Sequence, residues 1–517
     1  MSRSAKAAKG FATSIFRSLS QILVQILLAP IVLKMAGREA LGAYAAIMQT
    51  VSLLLLVDIA GSWSLERFLG HALAAEDGGK RFREVFTTAR TILLITNTIF
   101  GIGVFIISLF IGRLFHLSPQ IQSQARDALY VVAVWGIIRT PLAAYANASI
   151  ATQDLAATNL ISTAISISRT LASLLFVLMG TGLFGLIISG TVVDVIGCFL
   201  YRARFRKMSP NLEPSWGVPD KALFREMLGF GGYVLLTNVG NRLFFNSANM
   251  MAALTNGAAE ASAFYTSQMP TMTGYVMLMR VADNAAPAVY ELSGRGEKER
   301  LGRAFLRLTH IVLVMTLPLA VGVVLFNRDV VTCWVGPSLY AGRLLSVTIA
   351  IFCVLDGIRS ISVLFAFAQG WMKLLTVTSL IQGIANFALG YFLGKWLGLG
   401  GITLALCIVM LPQFFVLLRE IEKAFTIPIA SHLALNVLRL ALPLGLAALA
   451  SEFVHFRVKI ALHHFQGLLL ECFVFLAVYA PIAYTLALQP GDREEVRRYL
   501  SSVASMGKNI ARMVKIA

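Results

Sequence analysis

Between residues 11 and 488 the chain is a nearly unbroken succession of apolar stretches. Each is at least as long as the roughly 20 residues that a helix needs to cross a bilayer. They fall at 11–36, 41–70, 85–112, 126–152, 155–180 and 182–203, then at 224–255, 261–291, 303–327, 342–369, 371–394 and 398–420. A last pair occupies 429–452 and 460–488. With 57% hydrophobic and only 14% charged residues over 517 positions, a soluble domain is excluded. The expectation is an all-α polytopic membrane protein of about 14 transmembrane helices.

Lys and Arg set the orientation, because basic loops stay on the cytoplasmic side. Placing the N-terminus inside puts Lys6, Lys9, Lys80, Arg81, Arg83, the run from Arg202 to Lys207, Lys298, Arg300 and the basic tail in the cytoplasm. The opposite loops keep only a few cations, among them Lys34, Arg113, Arg328 and Lys395. Both termini are therefore expected inside. The net charge of +18 reads as a topology signal with attraction to anionic membrane lipids, not as a nucleic-acid surface. The first basic and apolar run continues past signal-peptide length and reads as an uncleaved span. Five scattered cysteines give no disulfide or metal pattern. The adjacent pair His463 and His464 reads as surface polarity at the start of the last span.

The stretch 261–291 carries Thr266, Pro270, Thr273, Met277, Arg280, Asn284, Pro287 and Glu291 at spacings of three and four, a single helical face. Arg280 lies near its middle, where burial in hydrocarbon costs roughly 2.5–3.5 kcal/mol, so it is expected to line an interior cavity. Pairing with Asp283 one turn on is the competing structural role. Ser14, Arg17, Gln21 and Gln25 form a similar stripe in the first span.

Sliding the sequence by about 220 residues exposes a weak duplication, as expected of transporters. Arg113 meets Arg328, Arg126 meets Arg343, Arg139 meets Arg359 and Gln153 meets Gln369, in order. The expected organisation is an N-lobe over 1–207, a proline-containing linker over 208–223, a C-lobe over 224–425, two further spans within 426–490 and a cytoplasmic tail over 491–517.

Ionisable residues inside the spans are Arg17, Arg139, Arg169, Arg242, Arg280 and Arg359 against Asp58, Asp194, Asp283 and Asp356. Some are compensated locally, as Asp283 by Arg280 and Asp356 by Arg359. The surplus of guanidinium suits phosphate, whose oxygens match its paired donors. Arg139 and Arg359, as repeat equivalents, are expected to face one another across a pyrophosphate, with Asn241, Asn284 and neighbouring amides and hydroxyls suited to sugars. Asp58 and Asp283 are candidate carriers of a coupling H+ or Na+, although a salt-bridge role competes. There is no nucleotide-binding loop, catalytic cluster or metal spacing, so neither an enzyme nor a cofactor is expected.

The opening Phe11-Ala-Thr-Ser-Ile-Phe-Arg17, the turn Leu41-Gly-Ala-Tyr44, the segment 61–67, the basic loop 80–83 and the turn 257–265 resemble the Wzx-type polysaccharide flippases of the multidrug/oligosaccharidyl-lipid/polysaccharide exporter superfamily. That resemblance implies two six-helix lobes around a cationic cavity, alternating access and a bacterial inner-membrane location. It implies a polyprenyl-diphosphate-linked oligosaccharide as cargo, with a polysaccharide polymerase or chain-length regulator as a partner. Lipid II flippases, which also carry two additional C-terminal helices, and cation-coupled multidrug exporters are the alternatives. A membrane glycosyltransferase is disfavoured by outer loops of only about 14–16 residues.

Overall fold

The computed structural model describes residues 26–56, 65, 68–73, 77–152, 154–213, 217–458, 464–487 and 493. Among the described residues the secondary structure is helical, with no strand. A short helix α1 (Ile26–Met35) leads into α2 (Gly37–Leu54). Then follow α3 (Lys80–Phe115), α4 (Pro119–Ile138), α5 (Thr140–Ala151), α6 (Leu155–Leu178) and α7 (Gly182–Met208). Next come α8 (Lys221–Phe245), α9 (Ala248–Asn256), α10 (Ala258–Gly294) and α11 (Lys298–Val335). The chain continues through α12 (Arg343–Ala368), α13 (Met372–Leu397), α14 (Leu399–Phe425), α15 (Ile429–Val458) and α16 (His464–Leu486).

Among the described residues nine helices are long and apolar enough to cross a membrane, ten if α4 and α5 form one bent span. The more polar α8 and α10 are long enough but are not among the nine. Two of the spans read from sequence as single helices are broken. The first bends by 55° between α4 and α5. Pro141 lies just past the break and has no N–H to return to the carbonyl of Ile137, which is the usual cause of a kink. The second break separates α8 from α9 at Asn246 and Ser247.

The chain divides into two compact units. The first comprises Met1–Thr273, Trp334–Ile349 and Trp371–Gln413; the second comprises Gly274–Cys333, Ala350–Gly370 and Phe414–Ala517.

In the first unit α6 and α7 form an antiparallel hairpin about Gly180 and Gly182, whose φ values of +77° and +60° suit residues without a Cβ. Polar pairs fasten it along its length. Arg204 grips Asp154 through two bonds of 2.7 and 3.0 Å, and Ser173 meets Ser189 at 2.7 Å. The helices α8 and α13 cross with backbones almost touching, since a Cβ on Gly240 would stand 2.4 Å from the carbonyl oxygen of Ser379. Small residues at a crossing are how helices in lipid gain close packing.

The second unit packs α15 and α16 on α11 through Leu440, Leu444, Ala447, Phe475 and Phe326. Pro318 inside α11 cannot donate to the carbonyl of Val314, four residues earlier. The Tyr479 hydroxyl of α16 donates to that carbonyl at 2.6 Å. A proline gap in one helix is thus filled by a side chain from another, so the orphan group costs little in the apolar interior.

Candidate functional site

The bend at Arg139 brings three charges of the first unit together. Arg139 Nη1 lies 3.0 Å from one oxygen of Asp194 on α7, and Arg169 Nη2 of α6 lies 2.9 Å from the other. One carboxylate therefore serves two guanidinium groups from two helices. The Arg139 side chain is 18% exposed and that of Arg169 51%, so the cluster runs from the packed bend towards an open surface. Guanidinium binds phosphate oxygens through paired donors.

The second break holds Arg242, in the last turn of α8. Its Nη1 donates to the Ser52 hydroxyl of α2. Asn241 beside it is half-buried. The broken ends are satisfied from neighbouring helices. Gln49 Oε1 accepts from the backbone N–H groups of Asn249 (2.7 Å) and Met250 (3.2 Å) at the start of α9. Asn386 Nδ2 donates to the carbonyls of Leu243 and Phe244, each at 3.4 Å. Irregular backbone at this depth persists where such partners replace water.

The polar face expected along 261–291 is only partly as read. In the second-unit portion of α10, Tyr275, Ala282 and Val289 are buried. They lie seven apart on one face, while Met277, Arg280, Asn284, Pro287 and Glu291 are exposed on the opposite one. Arg280 and Asp283 approach at 3.5 Å, with side chains 58% and 68% exposed. Thr266 departs from the expectation: it is fully buried, because its hydroxyl donates to the carbonyl of Leu339 at 3.0 Å and the helix is packed there.

Arg359 is also placed otherwise than expected. It forms a buried pair with Asp356 at 2.6 Å, and the Tyr275 hydroxyl donates to the other carboxylate oxygen. Both charged residues are nearly inaccessible, at 6% and 3%. Its guanidinium is turned into the packed interior of the second unit, not towards a wet cavity. Arg17 and Asp58 lie outside the described residues.

Asp194 was legible only as one of four intramembrane acids. Its sharing by Arg139 and Arg169 requires α4, α6 and α7 to converge, which no spacing along one helix reports. A cavity of about 370 Å³ lined by Phe68, His71, Arg81, Val85, Leu223 and Glu226 contains none of the candidate residues.

The family of polysaccharide biosynthesis proteins matches residues 34–338, more than half of the chain. The chain belongs to this family. No curated protein matches its sequence. Its fold is similar to that of the lipid II flippase MurJ in an inward closed conformation, with a TM-score of 0.70 at 14% identity, covering 92% of this chain and 97% of MurJ. It is also similar to a MATE family multidrug resistance transporter of the MOP superfamily in an inward-facing conformation, with a TM-score of 0.64 at 14% identity over 78% of this chain and 95% of the other. The family member is therefore a multi-pass membrane protein with the helical fold of those transporters, and both the family and the fold class expected from sequence are borne out.

Proposed function

We propose that this protein is a flippase that moves a polyprenyl-diphosphate-linked oligosaccharide, such as an O-antigen, capsule or exopolysaccharide repeat unit, across a bacterial inner membrane by alternating access. The observation that carries this reading is the carboxylate of Asp194 shared between Arg139 and Arg169 beside a broken span, with the Arg169 side chain 51% exposed. A diphosphate brings at least two negative charges and acceptor oxygens in the geometry that guanidinium matches. Membership of a polysaccharide biosynthesis family supports a glycan on the far side of that diphosphate.

In this reading Arg139 and Arg169 hold the head group and Arg242 and Asn241 of the same unit contact further phosphate and sugar oxygens, while Arg280 and Asn284, exposed on α10, are the substrate contacts of the second unit. Arg359 acts through packing. The two lobes are 1–207 and 224–425, with the termini in the cytoplasm, and H+ or Na+ supplies the driving force.

The test is restoration of surface glycan in a strain deleted for this protein. Arg169→Ala and Arg139→Ala are expected to lower export at least about tenfold, the loss of one charge-assisted contact, while membrane insertion is unchanged. Arg169→Lys is expected to restore only part, since a single ammonium cannot make a paired contact. Full export by both alanine variants rules the proposal out. Normal glycan in the deletion strain with sensitivity to cationic dyes would instead identify a drug exporter, and arrest with cell-wall precursors retained inside would identify lipid II as cargo.

A further inference from the structure

Three polar side chains on three helices of the second unit converge at a place the proposed transport does not use. Asp329 of α11, His455 of α15 and Glu471 of α16 each offer one ligand atom, and all three atoms lie within 4.8 Å of one another. His455 Nδ1 stands 2.9 Å from Glu471 Oε1. Asp329 lies within two turns of the end of α11, His455 in the last turn of α15 and Glu471 two turns into α16.

Glu471 is the sole acid of α16, the residues around it are apolar, and it is only 6% exposed. A buried carboxylate in such a helix is costly unless it is compensated. Among the described residues His455 is its partner, and no lysine or arginine pairs with it or with Asp329. Two carboxylates beside one imidazole carry a net charge of −1 with the imidazole protonated and −2 with it neutral. A proton on His455 therefore balances half of the charge at most, whereas a divalent cation balances it fully.

We propose that Asp329, His455 and Glu471 bind a divalent transition metal ion, with Zn²⁺ as the best fit. One imidazole nitrogen and two carboxylate oxygens, completed by water, form a four-coordinate zinc donor set with bonds of about 2.0–2.2 Å. Tetrahedral geometry at such bond lengths separates ligand atoms by about 3.3–3.6 Å. The observed separations, 2.9 Å for His455 to Glu471 and none above 4.8 Å, lie to either side of that value. Calcium and magnesium prefer six or more oxygen ligands and are disfavoured by the imidazole. The metal takes the place of the proton between Nδ1 and Oε1. It ties α11 to the α15 and α16 pair near one end of the three helices.

The experiment uses the full-length protein, purified in detergent through a tag without histidines, stripped with a chelator and titrated with ZnCl₂. Calorimetry is expected to show one equivalent of Zn²⁺ bound, and thermal unfolding a rise in midpoint that MgCl₂ and CaCl₂ do not reproduce. Asp329→Asn and His455→Ala are expected to weaken binding at least about tenfold. Asp329 is the least buried carboxylate of the pair, so its variant carries the test should a change at Glu471 prevent folding. Substitution by Co²⁺ gives a visible absorption band that the Asp329→Asn protein should lack, a readout independent of stability. Absence of stoichiometric binding by the native chain, or equal affinity in Asp329→Asn, overturns the site. Glycan export is not the readout, so either result leaves the transport reading untouched.

Discussion

Arg139 in the first unit and Arg359 in the second stand 220 residues apart, the offset at which the sequence reads as repeating, yet their surroundings differ in access. Arg139 shares Asp194 with Arg169, and through the half-exposed Arg169 side chain the cluster reaches an exposed surface. Arg359 has Asp356 to itself on the next turn of the same helix, and Tyr275 completes the carboxylate's bonding in a sealed interior. The backbone differs as well. Two residues beyond Arg139 stands Pro141 and the helix bends, whereas two beyond Arg359 stands the fully buried Ile361 and α12 runs on unbroken. One arginine thus lies in a cluster that opens to the surface and the other in internal fastening, and a proline bend accompanies the difference.

Breaking the balanced pair should cost the most. Asp356→Asn removes the carboxylate that the buried Arg359 guanidinium grips and is expected to destabilise the protein by about 3–5 kcal/mol, measured by thermal unfolding in detergent. The double replacement Asp356→Leu with Arg359→Met should recover most of that loss, because the desolvation of both ions disappears together. Next in size, Tyr275→Phe leaves one carboxylate oxygen without its donor, for about 1–3 kcal/mol. Asp194→Asn in the other cluster should cost no more than about 1 kcal/mol, since its arginines reach solvent. That variant should keep measurable glycan export, because both guanidinium groups remain. Smallest is Arg280→Ala, expected to change stability by no more than about 0.5 kcal/mol because the side chain is largely exposed, while export falls. A large stability loss from Asp194→Asn, or a negligible one from Asp356→Asn, would erase the distinction between the clusters.

The polar stripe of α10 was legible because residues three and four apart must share a helical face. From Tyr275 onwards its buried and exposed residues separate as that geometry requires. Thr266 belongs to the same stripe by spacing, but the turn around Leu339 covers it, a contact 73 residues away in sequence. The helix breaks were half legible. Pro141 announces one, whereas Asn246 and Ser247 are ordinary helix residues whose break becomes tolerable only through Gln49 and Asn386 on other helices. The convergence of Asp329, His455 and Glu471 was invisible, with the lone acid in the apolar α16 as its one trace.

The sequence by itself determined the membrane setting, the helical class and the excess of guanidinium, since all three depend on composition and on periodicity within single helices. The tertiary structure alone decided which arginine is sealed in a packed interior and which shares its carboxylate with a second, exposed arginine. Ion-pair energies at these depths depend on which helix brings the next carboxylate within about 4 Å, and that distance is set by packing between segments far apart in the chain.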